Sequence, residues 1–192
     1  KHRATVNVES KNIKILSEIN KNILRIKQLS KELSLIEEDA NSKQKYDFFV
    51  RNKLISDTVR LTCAAKLQVS VEHLLHQVFS SCKKCIYFCY HKQMLNSLEE
   101  TCLKKNIQYI RIDGDTKQED RQSMVNEFKS NDSSIQIAIL SIKACCAGLN
   151  FTPVSHMVFT ELTYEVATML QCEDRIHRIG AKNDCLYEYL IC

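Results

Sequence analysis

Residues 85–112 read CIYFCYHKQMLNSLEETCLKKNIQYIRI. An apolar run, Cys85–Tyr90, is followed by Leu95, Leu98 and Cys102 at helical spacing, and then by a second run, Ile107–Ile112. Strand, helix, strand is the order this predicts, because strand-length runs without alternation suit positions buried on both faces of a sheet. Working outward, a helix with Leu67, Val71, Leu74, Leu75 and Val78 precedes the unit. After it come a helix opened by Thr116, with Glu119 three residues on as a capping box, and the strand Ile135–Ile142. A short connection at Gly148, the strand His156–Leu162, a further helix and the strand Cys185–Ile191 complete the series. Five apolar strands separated by helices imply an α/β fold, with a parallel sheet covered by helices on both faces. In such sheets the working residues lie beyond the carboxyl ends of the strands.

The first third is patterned differently. After an extended piece at Val6–Val8, Ser10 is placed to cap a long helix with apolar residues at Ile13, Leu16, Ile19, Ile23, Ile26, Leu29, Leu33 and Ile36. Steps of three and four make a narrow stripe flanked by lysines and glutamates, as in a helical hairpin. A polar break at 39–45 turns the chain, and a second helix over 46–63 returns antiparallel to the first. The expected organisation is an N-terminal helical hairpin protrusion over 1–65 and an α/β lobe over 66–192. Charge divides the same way: residues 1–66 carry 14 basic and 8 acidic side chains, residues 67–192 carry 13 and 15, within a net +4. The protrusion is basic enough to lie near an anion, and the lobe is not globally basic.

Ten cysteines raise a zinc or disulfide reading. Cys82 and Cys85 form one CxxC, but no second pair follows at finger-like spacing, so no zinc is expected and the thiols read as buried, free and reduced. His73 and His76 lie on an apolar helical segment without HExxH, which points to packing and not to a metal. No apolar run reaches membrane-spanning length and no signal peptide is evident, so the expectation is a soluble, intracellular protein without a membrane.

Chemistry concentrates where the scarce turn residues are. Only three glycines and one proline occur. Gly114 lies in IRIDGDT, Gly148 in CCAGLNFTP, and Gly180 closes QCEDRIHRIG at 171–180. Glycine serves where φ is positive or where a ligand approaches the backbone, so each marks a candidate loop. In QCEDRIHRIG, helical spacing places Gln171, Arg175 and Arg178 along one face, with Asp174 one turn before Arg178. Two permanently charged planar forks suit a polyphosphate, while a solvated Asp/Arg helix end is the plainer alternative. At the strand ends stand His91 and Lys92, Asp113 and Gly114, Ser141 and Lys143, and Glu161.

Taken in order, IYFCYHKQML, YIRIDGDTKQEDR, ILSIKACCAGLNFT and QCEDRIHRIGAKN resemble the motifs of the second RecA-like lobe, the helicase C-terminal lobe, of Swi/Snf-type superfamily-two DNA translocases. The annealing-helicase branch of HepA-related proteins, which remodel stalled replication forks, is the most similar. The resemblance implies a RecA-like fold and an ATP-dependent helicase or translocase acting on forked or double-stranded DNA. Arg175 and Arg178 would be arginine fingers reaching ATP held by the first RecA-like lobe, with Gln171, Asp174, Gly148 and Asn150 in the nucleotide cleft. His91, Lys92, Arg111, Gly114, Ser141 and Lys143 would contact DNA phosphates without reading sequence. The implied cofactors are ATP and Mg²⁺, bound mainly by the first lobe, and the implied setting is DNA repair in the nucleus.

The sequence departs from that family at Ala144-Cys145-Cys146, where many relatives have Ala-Gly-Gly, at Ala181, and at Tyr164-Glu165. No GxxxxGK[ST] loop occurs, and Glu37, Glu38 and Asp39 end a helix instead of following a strand, so the chain reads as half a motor that would be inactive alone. Two alternatives stay open: a nucleosome-remodelling ATPase lobe, and a non-catalytic module binding DNA or protein.

Overall fold

The computed structural model describes residues 1–34, 42–81, 83–145, 148–163, 165–176 and 184–191. Twelve elements follow in the order β1 (His2–Asn7), α1 (Ile13–Ser34), α2 (Ser42–Ser80), β2 (Cys85–Cys89), α3 (Lys92–Lys104), β3 (Tyr109–Ile112), α4 (Gln118–Lys129), β4 (Ile137–Ser141), α5 (Ile142–Cys145), β5 (His156–Phe159), α6 (Val166–Glu173) and β6 (Leu186–Ile191). Two compact units emerge, residues 1–9 with 67–192, and residues 10–66. Among the described residues no helix is long and apolar enough to cross a membrane.

The larger unit is built on one parallel sheet in the order β1-β6-β5-β2-β4-β3. β2 lies between β4 and β5 and every one of its residues is buried. Ile86, Phe88, Ile110, Ile112, Ala138, Leu140, Met157 and Phe159 form one face, packed with Val125 and Phe128 of α4 and Met169 and Cys172 of α6. On the opposite face His73 of α2 meets the Tyr87 hydroxyl at 3.0 Å, while Glu99 of α3 pairs with Tyr109 and Arg111. The expected parallel sheet with helices on both faces is therefore the observed RecA-like core. Six described cysteines are buried, and burial pushes the Cys102 thiol up to about 12. Cys82, half of the CxxC, lies outside the described residues.

Four expectations are corrected. The first nine residues belong with the sheet and not with the 1–65 protrusion, because β1 pairs with β6 along its whole length and supplies a sixth strand. An edge strand needs no apolar run, and HRATVN has none. The expected helices over 46–63 and 67–78 are one helix, α2, since Ala64, Ala65 and Lys66 between them are good helix formers. Asn12, not Ser10, caps α1, its Oδ1 accepting the Ile15 N–H at 3.2 Å, while Ser10 Oγ accepts from Asn12. The Thr116–Glu119 capping box does not form: the Thr116 hydroxyl accepts the Asp113 N–H at 3.0 Å, and α4 starts after Lys117.

In the smaller unit, Ile19 and Leu29 are the buried members of the α1 stripe, and Arg51 Nε of α2 donates to Ser30 Oγ at 2.7 Å. Ile36, at the end of the expected stripe, lies outside the described residues.

A buried carboxylate fastens β1. Glu173, 1% exposed at the end of α6, accepts Arg3 Nε at 2.9 Å and Arg3 Nη2 at 2.6 Å, together with the Tyr189 hydroxyl. Burial alone would raise its pKa, but the hydrogen bonds from Arg3 and Tyr189 outweigh burial and hold the carboxyl below its ordinary 4.5. A depressed folded-state pKa contributes stability that is present above the unfolded value and lost as pH falls through the folded one. Thermal unfolding of Glu173→Gln should therefore lose part of the acid-side decline that the unsubstituted chain shows below about pH 4.5. Identical melting-temperature profiles below neutrality would contradict this role.

Candidate functional site

The strand order reverses around β2, so the crevice beyond its carboxyl end is the switch point where open α/β sheets bind ligands. Glu161, just past β5, closes the two sides of that crevice. Its Oε2 accepts the N–H groups of Tyr90 and His91 at 2.9 and 3.0 Å, and its Oε1 lies 2.5 Å from His91 Nδ1. With a carboxylate at Nδ1 that nitrogen carries the proton, leaving Nε2 as the ring's other polar atom. His91 also precedes α3 as its N-cap, so one residue joins the end of β2, the start of α3 and the end of β5.

Lys143 arrives from the other side of β2. Ser141, the last residue of β4, is buried, and the chain turns into α5, which leaves Lys143 exposed with its ammonium 4.5 Å from the centre of the Tyr90 ring. A cation over an aromatic face is held without being neutralised. His91 and Lys143 are thus brought together through Tyr90, whose ring meets that of His91 edge-on at 5.1 Å.

The loop after β3 is built by its own side chains. Asp113 Oδ1 accepts the Asp115 N–H at 2.9 Å, and Arg121 of α4 donates to the carbonyls of Thr116, Asp113 and Ala144 at 3.2, 3.1 and 3.0 Å. Arg121 therefore ties the β3 loop to α5. Arg111 is held between Glu99 and Asp113, with Nη2 2.7 Å from Asp113. Burial works against its charge, and the two carboxylates more than restore it. Facing two acids with a side chain 15% exposed, Arg111 is a structural cation, unlike the open phosphate contact expected of it. Lys92 Nζ lies 2.5 Å from Asp115, whose carboxylate raises the ammonium pKa. Gly114 is exposed, its φ is not left-handed, and a Cβ there would meet nothing within 4 Å. Neither strain nor crowding within the chain calls for glycine at that position.

A second group forms between the connections on either side of β5. Gly148 sits at φ +82°, a conformation that favours glycine, and Asn150 Oδ1 accepts the Thr152 N–H at 3.0 Å. The Phe151 N–H donates to the Arg175 carbonyl at 2.9 Å, and Thr152 Oγ1 donates to the Ile176 carbonyl at 3.3 Å. The Gly148 loop and the arginine segment, remote in sequence, are therefore one backbone-bonded unit. Helix α6 ends at Glu173, and residues 174–176 form a turn, so Arg175 stands beyond the helix and does not share a helical face with Gln171. Gln171 is exposed, Asp174 is exposed and bonded to Lys1 Nζ at 2.7 Å, and Arg175 is half-buried. Arg178 and Gly180 lie outside the described residues, as do Cys146 and Ala181.

The structure thus divides the expected site into an edge group (His91, Lys92, Gly114, Ser141, Lys143) and a connection group (Gly148, Asn150, Gln171, Asp174, Arg175). Arg3, Glu173, Glu99 and Arg121 hold these groups in place and were not singled out from sequence. Only the single charged residue of α6, VATMLQCE, hinted at Glu173.

Residues 65–180 match the helicase conserved C-terminal domain. The SWI/SNF-related matrix-associated actin-dependent regulator of chromatin subfamily A-like protein 1 of Xenopus tropicalis is 36% identical over 130 residues, covering 68% of this chain and 14% of that protein. Human "DNA annealing helicase and endonuclease ZRANB3" is 36% identical over 138 residues, 72% of this chain and 13% of that protein. The chain therefore spans about one seventh of the length of these relatives. Among solved structures, the C-terminal part of the Fun30 ATPase domain superposes with a TM-score of 0.70 at 17% identity, covering 100% of this chain and 84% of that one. The Sulfolobus solfataricus SWI2/SNF2 ATPase core in complex with dsDNA gives 0.68 at 13% identity, covering 99% and 40%. The shared architecture and the matched domain agree, and the chain belongs to the helicase conserved C-terminal domain family as a second RecA-like lobe of the Swi/Snf type.

Proposed function

We propose that the chain is the C-terminal motor lobe of an ATP-dependent DNA translocase, an annealing helicase that remodels forked or double-stranded DNA. The observation that carries the reading is the backbone bond from Phe151 to Arg175, which ties the connection after Gly148 to the turn at 174–176. ATP binding on the first RecA-like lobe would close a cleft onto Arg175 and Arg178, with Gly148, Asn150, Gln171 and Asp174 beside them. Fixed guanidiniums there would stabilise charge developing on the transferring phosphoryl group. Asp174, the carboxylate adjoining Arg175, is already paired with Lys1, so Mg²⁺ would be held by the first lobe.

His91, Lys92 and Lys143, at the strand ends, would take DNA phosphates, with Ser141 and the open backbone at Gly114 alongside. Such contacts serve translocation because they are independent of base identity. Arg111 would shape this surface through Glu99 and Asp113. The relative named as a DNA annealing helicase supports DNA as the substrate; a forked form of it, and a setting in nuclear DNA repair, would follow from the translocase reading.

Two measurements test the assignment. In the full-length protein, Arg178→Ala and Arg175→Ala should each lower ATP turnover by about a thousandfold or more while leaving duplex binding intact. Near-normal hydrolysis in both would overturn the finger role. Replacing Lys143 with Glu should weaken duplex binding and make the slope of log affinity against log salt shallower by about 1 or more. An unchanged slope would remove Lys143 from the phosphate surface.

A further inference from the structure

The first turns of α2 carry a face of unusual composition with no partner among the described residues. Asp47, Val50, Arg51 and Leu54 are half-buried, and Arg51 bonds to Ser30 of α1, so this row faces the hairpin partner. The opposite arc of the helix holds Lys45, Tyr46, Phe48, Phe49, Asn52 and Lys53, all exposed. Tyr46 is 65%, Phe48 55% and Phe49 64% exposed, which is far outside ordinary placement for three aromatic rings within four residues. At 100° per residue, Lys45 falls between Phe48 and Phe49, and Lys53 falls between Phe49 and Tyr46. Rings and ammonium groups therefore alternate across the face.

That alternation identifies the occupant. The core of a protein–protein interface is depleted in lysine, which must be desolvated there. An unpaired nucleic-acid strand instead presents flat bases for aromatic rings and a phosphate at every step for cations, and both chemistries recur at the spacing of neighbouring side chains. The unit bearing the face carries 12 basic and 7 acidic side chains over residues 10–66, in keeping with a polyanion. We infer that the exposed face of α2 formed by Tyr46, Phe48 and Phe49 with Lys45 and Lys53 is a stacking platform for single-stranded DNA. That the strand is DNA rests on the translocase reading.

The test measures binding of the chain to end-labelled oligothymidylate and, separately, to a blunt duplex. The variant Tyr46→Ala/Phe48→Ala/Phe49→Ala alters only exposed side chains and should retain the fold by circular dichroism. Its affinity for oligothymidylate should fall by about tenfold or more, since each lost base stack is worth roughly that factor, with duplex affinity unchanged. Phe48→Leu/Phe49→Leu keeps the apolar area but not the rings, so it should lose most of the same affinity, whereas Phe48→Tyr/Phe49→Tyr should retain it. Undiminished binding by the alanine variant, or full binding by the leucine variant, overturns the platform. Tighter binding of oligouridylate than of oligothymidylate overturns the choice of DNA. Near-normal ATP turnover in both arginine variants, with ring-dependent oligothymidylate binding intact, would reject the motor assignment and leave the platform standing.

Discussion

The placement of the arginine segment depends on one buried carboxylate. Glu173 ends α6, and the residues that begin the arginine turn follow it directly. A carboxylate at 1% exposure is tolerated only when its oxygens are satisfied, and here Arg3 and Tyr189 supply the donors from β1 and β6. The Tyr187 hydroxyl adds a bond to the Glu173 carbonyl at 3.2 Å. The end of α6 is thereby fixed against two strands of the sheet, and the turn after it starts from a defined point. Removing Arg3 would leave the acid facing one hydroxyl and a lysine 4.0 Å away, so the edge strand β1 controls where the turn carrying Arg175 begins.

Electrostatics sort the cations at the sheet edge by availability. Arg111 lies between two acids and Arg121 caps three carbonyls, so both contribute shape to the loop after β3. Lys143 stands over the face of Tyr90, and His91 keeps one ring nitrogen outside its bond to Glu161. In the proposed role, a surface for a polyanion that must slide would benefit from a few held but unneutralised groups more than from a dense positive field. The slight negative balance of residues 67–192 is consistent with that economy.

Much of this was legible in the chain itself. The runs at 85–90, 107–112, 135–142 and 156–162 each contain a strand, because residues buried on both faces of a parallel sheet must be apolar throughout. β1 was not legible as a strand of this sheet: HRATVN owes its place to backbone pairing with β6 and to the Arg3–Glu173 pair, and neither leaves a periodic signal. The capping box at Thr116 failed because the same hydroxyl had a nearer use in the Asp113 turn. Helical spacing likewise put Gln171 and Arg175 on one face, whereas the helix stops at Glu173 to meet the sheet. Motif residues could be named from sequence, but most of their partners could not, since Glu99 and Arg3 are recruited by tertiary position.

A short physical route joins the two halves of the site. Lys143 stands one residue from Ala144, whose carbonyl Arg121 holds, and Arg121 also holds the carbonyl of Asp113 beside Gly114. A few residues further on, the Gly148 loop presents Phe151 to the Arg175 carbonyl. Phe151 is fully buried and packs edge-on to Phe128 of α4, the helix that also carries Arg121. Displacing the arginine turn would therefore pull on a close-packed ring and not on a slack loop, and packed interiors resist such strain by shifting between discrete arrangements. The route is one of bonded and packed atoms throughout, from the cation at the sheet edge to the turn that begins the arginine segment.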